Sequence, residues 1–150
     1  MSADTDLIKL YSTRILGLAA DIPHRQRLEA PDGTAKRRSP LCGSTVTVDL
    51  VLKDGRISDY GQDVKACALG QASAAVVGAN VIGQDEATVQ KGRDQLHAML
   101  KDGGAVPEAP FDGLEVLAPA AEYKNRHASI LLAFDATLDA FAAARTAQAR

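Results

Sequence analysis

The sequence predicts an α+β domain, in which a small antiparallel three-stranded sheet packs against several helices. Three observations carry this. Val46, Val48, Leu50 and Leu52 alternate with Thr45, Thr47, Asp49 and Val51, and Asp54-Gly55 follows as a two-residue hairpin signal. Directly after the hairpin, ACALGQASAAVVGANVIG (Ala66 to Gly83) carries no charge and is built of small residues. Apolar residues also recur at helical spacing near both ends of the chain. The 150 residues suffice for one domain, 1–150, with a core of its own.

Taken in order, Asp6 to Ala20 reads as an amphipathic helix with Leu7, Tyr11, Ile15 and Leu18 on one face. Asp4 or Thr5 caps it, and Asp21-Ile22-Pro23 ends it. Arg25 to Ala30 is expected to be a short edge strand, and PDGTAKRRSP, Pro31 to Pro40, a proline-bounded loop. The hairpin supplies two longer strands, the second running from Arg56 to Val64. In the small-residue helix, Leu69, Ser73, Val76 and Asn80 share a face that can lie close to a neighbouring backbone. Asp85 caps a further helix, with Glu86 in its first turn, Val89, Leu96 and Leu100 as its core stripe, and Gly103-Gly104 as its stop. The last helix is expected to begin near Arg126, with Leu131, Phe134, Leu138 and Phe141 on one face.

Composition narrows the function. Net charge is −2, with 46% apolar and 24% charged residues, so no global field favours nucleic acid or anionic lipid. Lys36-Arg37-Arg38 is too short to change that and reads as a solvated loop. No segment approaches the roughly 18 consecutive apolar residues of a membrane span, and the start lacks a secretory pattern. Two cysteines cannot build a disulfide framework. The expectation is a cytoplasmic protein with reduced thiols.

Those thiols are the chemistry to explain. Cys42 sits in a turn between Pro40 and Gly43, and Cys67 in the first turn of the small-residue helix. Unpaired N–H groups and the helix dipole at that end favour thiolate, and Lys65 adds positive charge. A hairpin returns its outer ends to one edge, so the two sulfurs are expected together. The ordinary alternative is two inert, buried thiols. His24 reads as a turn residue and His97 as a solvated one. Asp63 and Lys65 flank the site, Asp59 is a solvated hairpin residue, and Ser73 packs without a base to activate it. Nothing resembles a phosphate loop.

SPLCGSTVTVDLVLKDGRISDYGQDVKACALGQASAAVVG resembles the U-type iron–sulfur cluster assembly scaffold family, the IscU, SufU and NifU N-terminal-like proteins. The matching features, in order, are Pro40-Leu41-Cys42-Gly43 before a strand, the Asp54-Gly55 hairpin, and Cys67-Ala68-Leu69-Gly70-Gln71-Ala72-Ser73 opening a helix. The likeness extends from Tyr11 to the final helix. It implies a scaffold or carrier rather than an enzyme, whose Cys42 and Cys67 hold a transient iron–sulfur cluster, [2Fe–2S] by preference, or zinc in its place. The implied partners are a cysteine desulfurase, which delivers sulfur as persulfide, and apo iron–sulfur proteins, which receive the cluster.

The departures are specific. Ser44 stands where the family has aspartate, Ala66 where it has glycine, and Ser129 falls at its third cysteine. A hydroxyl is a poor iron ligand beside thiolate, and a [2Fe–2S] cluster takes four ligands. Two protomers sharing one cluster as a homodimer supply four thiolates. His127 is the other candidate ligand, if the last helix starts late enough to bring it round; its ordinary place is a surface or cap position. A chain that has given up clusters would instead be a regulator of the desulfurase or a sulfur acceptor.

Overall fold

The structure is a computed structural model and describes residues 12–40 and 43–148. Its elements are α1 (Thr13–Ala20), β1 (Gly33–Arg38), β2 (Thr45–Lys53), β3 (Arg56–Lys65), α2 (Ala68–Asn80), α3 (Glu86–Asp102), two 3-10 segments (Asp112–Glu122 and Lys124–Arg126) and α4 (His127–Gln148). The class is α+β, as the sequence predicts.

The strands form an antiparallel sheet in the order β1-β2-β3. The hairpin turns at Asp54 and Gly55, both with positive φ (55° and 78°), the twist that suits a two-residue connection. Alternation then sorts every strand residue to one of two faces. Val46, Val48 and Leu50 face the helices and are buried. So does Tyr60, whose hydroxyl lies 2.8 Å from Thr137 Oγ1 on α4. Gln62 joins them, donating to the Ala74 carbonyl on α2 at 3.2 Å.

The edge strand is not where the sequence suggested. Gly33–Arg38, inside the expected proline-bounded loop, pairs with Leu50–Thr45 of β2. Arg25 to Ala30 holds no strand; its first residues instead cross the outer face of the sheet. A β-carbon on Gly61 would lie 2.2 Å from the Gln26 carbonyl oxygen, so the crossing chain rests directly on the sheet. Asp49, in mid-strand and fully buried, holds it there. Its carboxylate accepts from Arg27 Nε at 2.6 Å and Nη2 at 3.1 Å, from the Leu28 N–H at 3.0 Å and from Thr34 Oγ1 at 2.6 Å. Burial alone would push the Asp49 carboxyl up, but these donors outweigh it and hold it below the usual carboxylate range. The strand signal failed because pattern alone cannot separate a pairing strand from an extended chain laid across one.

α3 keeps its expected cap and stop, whereas the cap expected for the first helix, Asp4 or Thr5, lies outside the described residues. Ser12 caps α1, its hydroxyl accepting from the Ile15 N–H at 3.3 Å. The upstream part of the expected first helix, with Leu7 and Tyr11, lies outside the described residues. Asp85 caps α3 through the Thr88 N–H at 2.9 Å, and Gly103 closes it in the left-handed conformation. α4 crosses β1 and β2 and packs on α2 and α3. Leu131, Phe134 and Phe141 are buried along it, and Phe134 meets Phe111 edge-on at 5.0 Å. By length and composition alone, Lys124–Ala147 is apolar enough to cross a membrane, contrary to the sequence expectation. Two-thirds of its apolar window is instead buried within the molecule, as a core helix is.

Candidate functional site

The site lies at the end of the sheet away from the hairpin turn. Between β1 and β2 the chain makes a tight reversal: the Ser39 N–H donates to the Ser44 carbonyl at 2.8 Å, and the Gly43 N–H donates to the Ser39 carbonyl at 3.2 Å. Gly43 has φ 72°. Cys42 belongs to this turn in sequence and lies outside the described residues. Across β2, Thr45 pairs with Lys65 at the end of β3, and Cys67 follows two residues later. The hairpin therefore returns the neighbours of Cys42 to the end that carries Cys67, as the spacing implied.

Cys67 is the N-cap residue of α2, with φ −67° and ψ 169°, and its side chain makes no capping hydrogen bond. The thiol is free and half-buried. Its carbonyl accepts from the Gln71 N–H at 2.9 Å. The sulfur is thus placed at the helix start without being spent on the cap.

Ser129 reaches this thiol from the first turn of α4. Its Oγ lies 3.6 Å from Cys67 Sγ and donates to Ser44 Oγ at 3.1 Å. A sulfur and two hydroxyls, from α2, α4 and the turn before β2, so form one chain of contacts. Ser129 and Ser44 are almost fully buried. Close approach of α2 and α4 makes it possible, and Gly70 allows that approach: a β-carbon there would sit 2.7 Å from Ser129 Oγ and 2.9 Å from Ala66 Cβ. One residue past Ser129, Ser73 Oγ donates to the Ile130 carbonyl at 2.7 Å, so Ser73 is a packing residue, as expected.

His127 is not the surface residue its sequence position suggested; it is only 3% exposed. The 3-10 segment before α4 folds over it. Its Nε2 lies 3.0 Å from the Ala120 carbonyl oxygen and 3.1 Å from that of Ala121. Carbonyls only accept, so Nε2 carries the proton. In the neutral ring Nδ1 then keeps a bare lone pair, and it is buried without a hydrogen-bond partner. α4 begins at His127 itself, so the ring stands at the head of the helix, two residues before Ser129.

Other candidates fall away from this cluster. Asp63 and Lys65 are exposed on the outer face of β3. His24 occupies a left-handed turn (φ 58°) edge-on to Tyr60 at 6.2 Å. Asp59 is an exposed hairpin residue, and His97 is half-buried on α3. Among the described residues, no group of three or more His, Cys, Asp or Glu side chains is placed to hold a metal ion.

No family model and no curated protein matches the chain. Solved structures do. The chain superposes on a nitrogen-fixing NifU-like protein (N-terminal) from Brucella abortus with TM-score 0.91 and 42% identity, covering 94% of this chain and 98% of that one. This chain belongs to the NifU-like N-terminal family. Two more distant structures share its fold. One is a protein assigned as the iron–sulfur cluster assembly scaffold of the SUF system of Fervidobacterium islandicum AW-1 (TM-score 0.78, 19% identity, 89% and 98% covered). The other is a hypothetical protein solved at 2.3 Å (TM-score 0.79, 21% identity, 90% and 98% covered).

In this NifU-like chain, sequence reasoning singled out Cys67 and Ser129, which lie in contact, but took Ser44 only as a departure from the family. It missed Asp49 as the anchor of the crossing segment. An aspartate between Val48 and Leu50 was the available signal, since a mid-strand carboxylate must find donors if it is buried.

Proposed function

We propose that this chain is an iron–sulfur cluster assembly scaffold or carrier, with Cys42 and Cys67 as its thiolate ligands. The observation that carries the reading is the meeting, in a NifU-like fold, of the Cys67 thiol, the turn that contains Cys42, and the start of α4. The cluster is cargo, received, held and passed on. A half-buried thiol backed by hydroxyls suits that role better than a closed four-ligand cage, because it leaves the cargo open to exchange.

Sulfur would arrive as persulfide from a cysteine desulfurase. A thiolate of this chain attacks the outer sulfur, the donor's S–S bond breaks, and the donor leaves as thiolate. No electrons are gained or lost overall. Iron then binds the sulfur-bearing site, and an external electron-transfer protein would supply two electrons per sulfur, cleaving the persulfide S–S bond to give cluster sulfide and regenerate the thiolate. One protomer offers two thiolates, so a [2Fe–2S] cluster shared by two protomers reaches four. His127 is the alternative ligand: its Nε2–H is already fixed by two carbonyls, the arrangement that holds a ligating imidazole by its other nitrogen. Ser129 Oγ lies 3.6 Å from the Cys67 sulfur but offers only a hydroxyl. Apo iron–sulfur proteins are the recipients.

The test is anaerobic reconstitution with ferrous iron and sulfide. A brown species with about one iron and one sulfide per protomer is expected for a shared [2Fe–2S] cluster. Cys42→Ala and Cys67→Ala should each abolish the colour. A colourless, metal-free product overturns the reading, and tightly held zinc would replace iron as the cargo.

A further inference from the structure

The tripeptide Lys36-Arg37-Arg38 is divided by the sheet. Arg37 points to the helix face and pairs with Asp139 on α4 at 2.7 Å. Lys36 and Arg38 point the other way. Register fixes what they share that face with: Arg38 lies beside Thr45, which lies beside Lys65, and Lys36 lies beside Thr47, which lies beside Asp63. Directly opposite residues in an antiparallel pair share a face. Three cations and one carboxylate therefore occupy two adjacent rows of the outer face.

These rows differ from the next one. There Thr34, Asp49 and Gly61 lie under the crossing segment, and the charges are matched. In the two rows at the cysteine end, Lys36, Arg38 and Lys65 are all exposed, and none makes an ion pair among the described residues. Arg14, Arg27, Arg37, Lys91, Arg93 and Arg145 each have a carboxylate partner; Arg25, Lys53, Arg56, Lys101, Lys124 and Arg126 also have none among the described residues, and what sets Lys36, Arg38 and Lys65 apart is that they share adjacent rows of one sheet face. Arg38 and Lys65 also stand at the end of the sheet from which the chain continues to Cys67. Lys65 is two residues from Cys67, and an Arg38 nitrogen lies 3.9 Å from where a Gly43 β-carbon would be, next to Cys42 in sequence.

We propose that this outer face, built by Lys36, Arg38 and Lys65, docks an acidic segment of a protein partner and brings that partner to the cysteine end. The inference rests on the scaffold reading for the purpose of the docking, but not for its chemistry. Charge complementarity names the occupant: three unmatched cations in two rows suit a few carboxylates on an extended segment. A face this small, with Asp63 within it and a chain of net charge −2 behind it, is a poor match for the continuous phosphates of a duplex.

The probe is a fluorescently labelled octapeptide of alternating Asp and Glu, titrated into the metal-free full chain at low salt. Binding should weaken about tenfold in Lys36→Ala/Arg38→Ala/Lys65→Ala, the order expected from losing three exposed charge pairs. It should change less than about twofold in Arg37→Ala, and fall steeply with added salt. An alternating Lys and Arg octapeptide should not bind. Unchanged affinity in the triple variant overturns the proposal. So does equal or tighter binding of duplex DNA or of phosphatidylserine vesicles at the same salt. Reconstitution is read separately on the same variants. A colourless chain that still binds the peptide through these residues keeps the surface and removes the scaffold reading. A brown chain that ignores the peptide removes the surface alone.

Discussion

Two polar clusters, one under the crossing segment and one at the cysteine end, are both buried and both join distant parts of the chain, yet they are finished differently. Around Asp49 both carboxylate oxygens accept from Arg27, Leu28 or Thr34. At the cysteine end, Cys67 Sγ lies 3.6 Å from Ser129 Oγ, which donates to Ser44 Oγ at 3.1 Å, and no charged group takes part in that chain of contacts. A carboxylate taken out of water must be fully matched or the fold suffers. A thiol and two hydroxyls carry no full charge, so placing them together there costs less than burying a carboxylate. The lesson is that the cluster around Asp49 holds the crossing segment in place, whereas at the cysteine end the Cys67 thiol is not spent on capping its helix.

The sharpest way to break this contrast is Asp49→Ala. It strands Arg27 and unpins the crossing segment, and should cost about 3 kcal/mol of stability, the lower end for a buried pair because Arg27 is half exposed. Denaturant unfolding measures it, and cluster colour per folded molecule should be unchanged. If colour and stability fall together at low denaturant, the two regions are not separate. Acid gives a second route to the same contrast. The Asp49 carboxyl is lowered in the folded state, so its contribution is complete above the unfolded carboxylate value of about 4 and is lost as pH falls through the lower folded one. Asp49→Asn should therefore be less stable at neutral pH and flatter below about pH 4; an unaltered acid slope would show the carboxylate is not the linked group.

At the cysteine end the expected effects are on cargo. Ser129→Cys puts a thiolate where a hydroxyl now lies 3.6 Å from Cys67 Sγ. It should slow removal of iron by a chelator about tenfold, roughly 1.4 kcal/mol in the barrier. An unchanged release rate would take position 129 out of the ligand set. Tyr60→Phe removes one buried hydrogen bond to Thr137 and should cost about 1 kcal/mol, read in thermal unfolding, with no effect on iron. The smallest change is Ser129→Ala, below about 1 kcal/mol in stability.

Much of this was legible in one dimension because it depends on near neighbours. The Asp54-Gly55 turn, the Asp85 cap and the Gly103 stop each act within a few residues, so the sequence carries them whole. The return of Cys67 toward the turn that holds Cys42 followed from hairpin geometry alone. The edge strand was not legible, because Arg25 to Ala30 and Gly33 to Arg38 are both short stretches compatible with extended chain, and only one finds a pairing partner in β2. The burial of His127 was hidden for a related reason: its cover is the 3-10 segment ending at Glu122, whose path depends on the core beneath it.

From its sequence alone this protein had its class, its hairpin, its helix caps and the shared end of its two thiol-bearing segments, since spacing, alternation and turn chemistry are local instructions. The tertiary structure decided which extended segment would pair, which carboxylate would be buried among donors, which hydroxyl would meet Cys67, and how the basic tripeptide would divide between two faces. Those outcomes depend on chains meeting across long sequence distances, where close packing and the cost of unmatched buried polar groups choose among arrangements that the local pattern leaves equal.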